Sequence, residues 1–147
     1  MSVMNWIKQQ TTNVQTEIGK FRNKDMMEGI VAGCALVAYA DGSASSAEKQ
    51  KMLGFIKQSE TLKVFETDDV IKTFEKYIGK FEFDHGIGRG EALAAIVKMK
   101  SKPDQAQLLV RVCIAIGSSD GNFDEQERQA VTTICHELGL NPKNFDL

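Results

Sequence analysis

Met4, Ile7, Val14, Ile18 and Phe21 recur at helical spacing among polar positions such as Gln9, Gln10, Thr11, Thr12, Glu17 and Lys20. The pattern predicts an amphipathic helix over residues 3–21 that lids a core. From Met26 to Tyr39 nearly every face is apolar and rich in Ala and Gly, which predicts a helix enclosed by others, with Asp25 as its cap. Ser45 and Glu48 have the spacing of a capping box, and the helix they open turns Met52, Leu53, Ile56 and Ser59 inward. Thr61 to Glu66 is a connection anchored by Leu62, Val64 and Phe65. Thr67 then caps a clean stripe of Val70, Ile71, Phe74, Tyr77, Ile78 and Phe81. Gly86, Gly88 and Gly90 interrupt the pattern between Phe83 and Gly90, and the helix that resumes there faces Ile87, Ala94, Val97 and Met99 inward. Pro103 fits a first helical turn, so a helix runs from about Lys102 to Ser118 with Ala106, Leu109, Val110, Cys113, Ile116 and Gly117 inside. Asp124 and Glu127 form a second capping box ahead of Ala130, Val131, Ile134 and Leu138. Gly139 stops that helix, and Asn141-Pro142 opens a short turn closed by Phe145. No strand pattern occurs. The expectation is an all-α chain, one compact domain over residues 1–147 with seven main helices and a terminal turn.

Two stretches share one design. Asp41-Gly42 and Asp120-Gly121 are 79 positions apart, as are Glu48 and Glu127, and Cys34 and Cys113. Each stretch reads as an apolar helix, an Asp-Gly turn, a side-chain cap and a second amphipathic helix. An internally duplicated helical hairpin is the simplest account.

Composition narrows the function classes. With 42% hydrophobic and 26% charged residues, and 18 basic against 20 acidic side chains, neither disorder nor nucleic-acid binding is indicated. The longest apolar run, Gly29 to Ala40, spans 12 residues, whereas a bilayer-spanning helix needs about 20. Three cysteines inside apolar patterns, without a signal-peptide core at the N-terminus, point to a reducing cytoplasm. Trp6, off its helix's apolar stripe, reads as packing rather than a membrane anchor.

Asp41 and Asp120 are the leading chemical candidates, because capping falls to other residues in their turns. An Asp-Gly turn is also a plain structural device, and that reading stays open. Asp120, Asp124, Glu125 and Glu127 concentrate negative charge of the kind that hard cations such as Ca²⁺ or Mg²⁺ select. No EF-hand is present: counting from Asp120 puts Glu125 where the loop needs Gly and Val131 where it needs a bidentate Glu. Gly86-Ile87-Gly88-Arg89-Gly90 lacks the Lys-Ser/Thr of a phosphate loop and any preceding strand. Cys135 and His136, adjacent on a helix, point about 100° apart and serve one another poorly. Cys34 and Cys113 lack zinc spacing and read as small core residues. Lys98, Lys100 and Lys102 suit a solvated helix end, with a docking surface as the alternative.

Ser-Asp-Gly-Asn-Phe-Asp at 119–124, Asp41-Gly42 with Glu48-Lys49-Gln50-Lys51-Met52, Leu62-Lys63-Val64-Phe65, Phe83-Asp84 with Ile87-Gly88, and Gly90-Glu91 together carry a family likeness over nearly the whole chain. The sequence resembles the TerB family of tellurite-resistance proteins. The resemblance implies a small helical cytoplasmic protein without enzymatic activity. It also implies an adaptor or metal-responsive module acting with the membrane protein TerC and calcium-binding TerD-like proteins at the inner membrane face. Family acidic positions linked to metal match Asp41, Glu48, Asp120 and Glu127, while Ser45 stands where the second copy has Asp124 and makes the first set weaker. An enzyme acting on tellurite, needing a redox cofactor or a reactive cysteine pair, and a purely structural helical scaffold are the alternatives.

Overall fold

The computed structural model describes residues 24–40, 42, 46–58, 62–63, 65–118 and 123–147, with only the backbone of Ala47, Glu48 and Phe55. The expected helix over 3–21 lies outside the described residues. Among the described residues the chain is all-α. Six helices, α1 (Lys24–Ala38), α2 (Ser46–Gln58), α3 (Thr67–Phe83), α4 (His85–Val97), α5 (Pro103–Gly117) and α6 (Glu125–Leu138), are followed by a 3₁₀ turn at Pro142–Phe145.

The duplication is visible in the element bounds. Lys24 and Pro103, Ala38 and Gly117, and Ser46 and Glu125 are each 79 positions apart, so α1–α2 and α5–α6 are equivalent hairpins. Each hairpin also packs across to the other, α1 against α6 and α2 against α5, as an approximate twofold requires. Inserted between the copies, α3 and α4 cover another side of α1, which thereby touches all five other helices. This is why α1 reads as apolar all round: Met26, Ile30, Val31, Ala32, Cys34 and Ala35 are almost fully buried.

Two glycines of α1 set its approach to α5. A Cβ on Gly29 would lie 2.9 Å from Leu109 Cδ1, and one on Gly33 would lie 2.5 Å from Cys113 Sγ. One turn further on, the small residue is on the other helix: a Cβ on Gly117 would lie 3.3 Å from Val37 Cγ1. Contacts therefore advance by four residues together along both helices. The two run side by side in the same direction.

Between α1 and α3 the tie is polar. Glu28 accepts hydrogen bonds from Lys76 Nζ at 2.7 Å and Tyr77 Oη at 2.8 Å. The Lys76 hydrogen bond, with that from Tyr77, holds the Glu28 carboxyl below the usual carboxylate pKa against the opposing effect of burial.

Three local expectations are corrected. Asp25 lies within the first turn of α1 and is not its cap. Thr67 is the first helical residue of α3, whose N-cap Glu66 makes no side-chain cap bond. The largest correction concerns Phe83 to Gly90, where the three glycines do not break the chain out of helix. Asp84 caps α4 through its Oδ1, which accepts from Ile87 N at 3.0 Å, and Gly86, Gly88 and Gly90 all lie inside the helix. Gly88 is there for close contact, since a Cβ on it would lie 2.6 Å from both Phe81 Cα and N. That contact fixes the rotation of α4. Ala92, Ala95, Ile96 and Met99 face inward, while the expected inner residues Ile87, Ala94 and Val97 face out. The stripes of α3, α5 and α6 hold, with Phe74, Leu109, Val131 and Ile134 at the centre; in α2 Met52 and Ile56 are buried and Leu53 is half-buried, while Ser59 lies outside the described residues.

Candidate functional site at the two Asp-Gly turns

The turn after α1 begins with Tyr39. Its carbonyl accepts from Gly42 N at 2.9 Å and lies 3.2 Å from His85 Nε2. Its ring stacks on Phe81 with centroids 4.8 Å apart, and Phe81 meets His85 edge-on at 5.3 Å. Gly42 has φ +96°, a conformation that the absence of a Cβ permits. Lys49 on α2 bonds Glu82 on α3 at 2.7 Å, which raises the lysine pKa and braces the hairpin against α3. Burial, followed by the Glu82 charge, pushes the Tyr39 hydroxyl up. None of these braces came out of the sequence reading. Tyr39 and Phe81 were legible as apolar positions, but their meeting at the turn depends on how α3 crosses α1.

At the second turn, Ser118 is buried and donates its backbone N–H to Ile114 O at 2.9 Å. Phe123 packs its ring over Gly117, where a Cβ would lie 3.6 Å from Phe123 Cε2. The capping box at the start of α6 is present in full. Asp124 Oδ1 accepts from Glu127 N at 2.8 Å, and Glu127 Oε1 accepts from Asp124 N at 3.1 Å. One oxygen of each carboxylate is thus engaged by the backbone at the positive end of a helix. Asp124→Ala is expected to lower the unfolding free energy by about 0.5–2 kcal/mol, measured by urea denaturation. A change within error would show that the box contributes nothing.

Of the five acidic candidates, Asp124 and Glu127 are brought together by that box. Asp41 and Asp120 lie outside the described residues, and for Glu48 only the helical backbone is described; the expected Ser45–Glu48 capping box lies outside them as well, and α2 begins at Ser46. Among the described residues no three His, Cys, Asp or Glu side chains gather as a metal-holding group. What the described residues do establish is the placement of the turns' roots. Because α1 and α5 run in the same direction with Val37 against Gly117, the C-terminal ends of both helices, from which the turns leave, lie next to each other.

The thiols lie deeper. Cys34, Cys113 and Cys135 are at most 1% exposed. Cys113 donates to Ile30 O at 3.7 Å. A hydrogen bond with Cys34, its equivalent in the other copy, together with burial, raises its pKa well above that of an ordinary thiol. Burial pushes Cys135 up to about 11. Since the thiolate is the reactive form, this environment suppresses thiol chemistry. His136 is exposed on the neighbouring position of α6 while Cys135 is buried, as adjacent helical residues require.

The sequence profile of the family described as "Tellurite resistance protein TerB" matches residues 27–147. A protein of an Alcaligenes species, "Tellurium resistance protein TerB", is 48% identical over 98 residues, covering 67% of this chain and 80% of its own length. No solved structure matches the chain.

Proposed function

The chain belongs to the TerB family of tellurite-resistance proteins, and from that premise we propose that it serves resistance as a non-enzymatic, metal-responsive adaptor. Its ligand is a hard divalent cation, Ca²⁺ or Mg²⁺. The two acidic turns share one ion, with Asp41 and Asp120 as principal ligands and Glu48, Asp124 and Glu127 as the surrounding carboxylates. The observation that carries the reading is the parallel packing of α1 and α5, which sets the roots of both turns side by side. Neighbouring carboxylates repel one another, and a shared cation relieves that repulsion. The capping amide donors compete for the same oxygens, so affinity is modest, in the weak range of about 10⁻⁴–10⁻³ M.

Among the described residues no helix is long and apolar enough to cross a membrane. We assign any place at the inner membrane face to contacts with partners, which we take to be TerC-like and TerD-like proteins, with the chain itself in the cytoplasm. The metal would alter the surface of the paired turns and so their partner contacts. Reduction of tellurite by this chain is the less favoured reading, since its three thiols are buried and those of Cys113 and Cys135 are held protonated.

Titration with Ca²⁺ and Mg²⁺, followed by residue-resolved NMR, tests the shared site. Amides at 42–50 and 120–128 are expected to move with one common midpoint, and Asp120→Asn is expected to weaken the response of both turns. Two separate midpoints would replace the shared ion with independent sites. Shifts that stay fixed up to about 10 mM, beyond the weak extracellular range, would remove the metal from the proposal.

A further inference from the structure

Helix α4 has no polar face. At about 100° per residue, Gly86, Ile87, Gly90, Ala94 and Val97 fall within an arc of roughly 100°, opposite the buried Gly88, Ala92, Ala95 and Ile96. All five are exposed, Ile87 at 47% and Val97 at 39%, and Phe83, just before the helix, is 80% exposed. A surface helix ordinarily turns charged residues to water, and one that is apolar all round is ordinarily covered. Here the charges stand only along the borders of the outer face. Arg89 is on one edge and Glu91 on the other, with Glu91 paired to Lys80 of α3.

We propose that this face is a self-association surface whose occupant is α4 of a second copy, packed parallel about a twofold along the helix axis. The charge arrangement selects the occupant and its direction. Such a twofold sets the Arg89 edge of one copy against the Glu91 edge of the other on both sides of the contact, whereas an antiparallel pair would set Arg89 against Arg89. Close approach is open along the middle of the face. A Cβ on Gly90 meets nothing within 4 Å, and Gly86, Gly90 and Ala94, each four residues apart, let two backbones come near. A single helix face lies at the small end of protein interfaces, so the dimer is weak and reversible. The association does not depend on the metal.

Sedimentation velocity of the full chain over a range of concentrations is the test, in EDTA so that the metal proposal has no bearing on it. Wild type is expected to show a concentration-dependent monomer–dimer equilibrium. Ala94→Glu puts a charge in the centre of an exposed position and should weaken association at least tenfold with the circular dichroism spectrum unchanged. Arg89→Glu leaves both edges acidic and Glu91→Arg leaves both basic, so each alone should self-associate less than wild type. An equimolar mixture of those two variants should associate again. Monomer at every concentration would overturn the proposal, and so would a dimer indifferent to Ala94→Glu. Recovery absent from the mixture would overturn the parallel arrangement and the choice of occupant with it.

Discussion

Leu109→Ala is expected to lower the unfolding free energy by about 2–5 kcal/mol, placing it among the most damaging single truncations in the chain. Leu109 is fully buried on α5. Its Cδ1 lies 2.9 Å from where a Cβ on Gly29 would be, and its Cδ2 lies 3.9 Å from that position on Gly33. The side chain therefore fills the space that two glycines of α1 leave open. Those glycines hold the backbones close, so the surroundings cannot collapse easily into the void, and the cavity adds to the lost transfer free energy. Chemical denaturation of wild type and variant measures it. A loss below about 1 kcal/mol, the range of a tolerated volume change, would mean that α1 and α5 do not pack in this register. The argument for neighbouring turns would fall with it.

Gly88→Ala is expected to cost about 1–3 kcal/mol, although alanine is the better helix former by about 1 kcal/mol. The competing effects are separable. A Cβ on Gly88 would sit 2.6 Å from backbone atoms of Phe81, and backbone cannot rotate aside as a flexible side chain could. The crossing of α3 and α4 must open, and Phe81 carries with it the stack on Tyr39 at the first turn. Gly79→Ala is the control. Gly79 lies in α3 with nothing within 4 Å of a Cβ, so propensity acts alone and the variant should gain about 0.5–1 kcal/mol. If both substitutions stabilise, the close crossing does not exist. If both destabilise equally, the loss at Gly88 is not specific to Phe81.

Family membership was legible because it is written in local runs such as Asp41-Gly42 and residues 119–124, which need no fold to be read. The second capping box was legible for a related reason: Asp124 and Glu127 satisfy amides only one turn away, so spacing along the chain contains the whole interaction. The repeat came from self-comparison, and the helices show it at the same offset.

The sequence by itself determined the helical class, the stripes of α3, α5 and α6, and the pairing of two hairpins, because periodicity and capping act over a few residues. Tertiary structure decided the rotation of α4, whose apolar residues lie on both faces and so leave its phase undetermined until Gly88 meets Phe81. It also turned Gly86, Gly88 and Gly90 from a break into part of a helix, since a local cost of propensity is outweighed by a close crossing that no sequence window contains. The direction of α1 relative to α5 was likewise beyond the sequence. Two equivalent apolar helices can pack either way, and only the match of Gly29 with Leu109, Gly33 with Cys113 and Val37 with Gly117 sets them parallel, with both acidic turns leaving at one end.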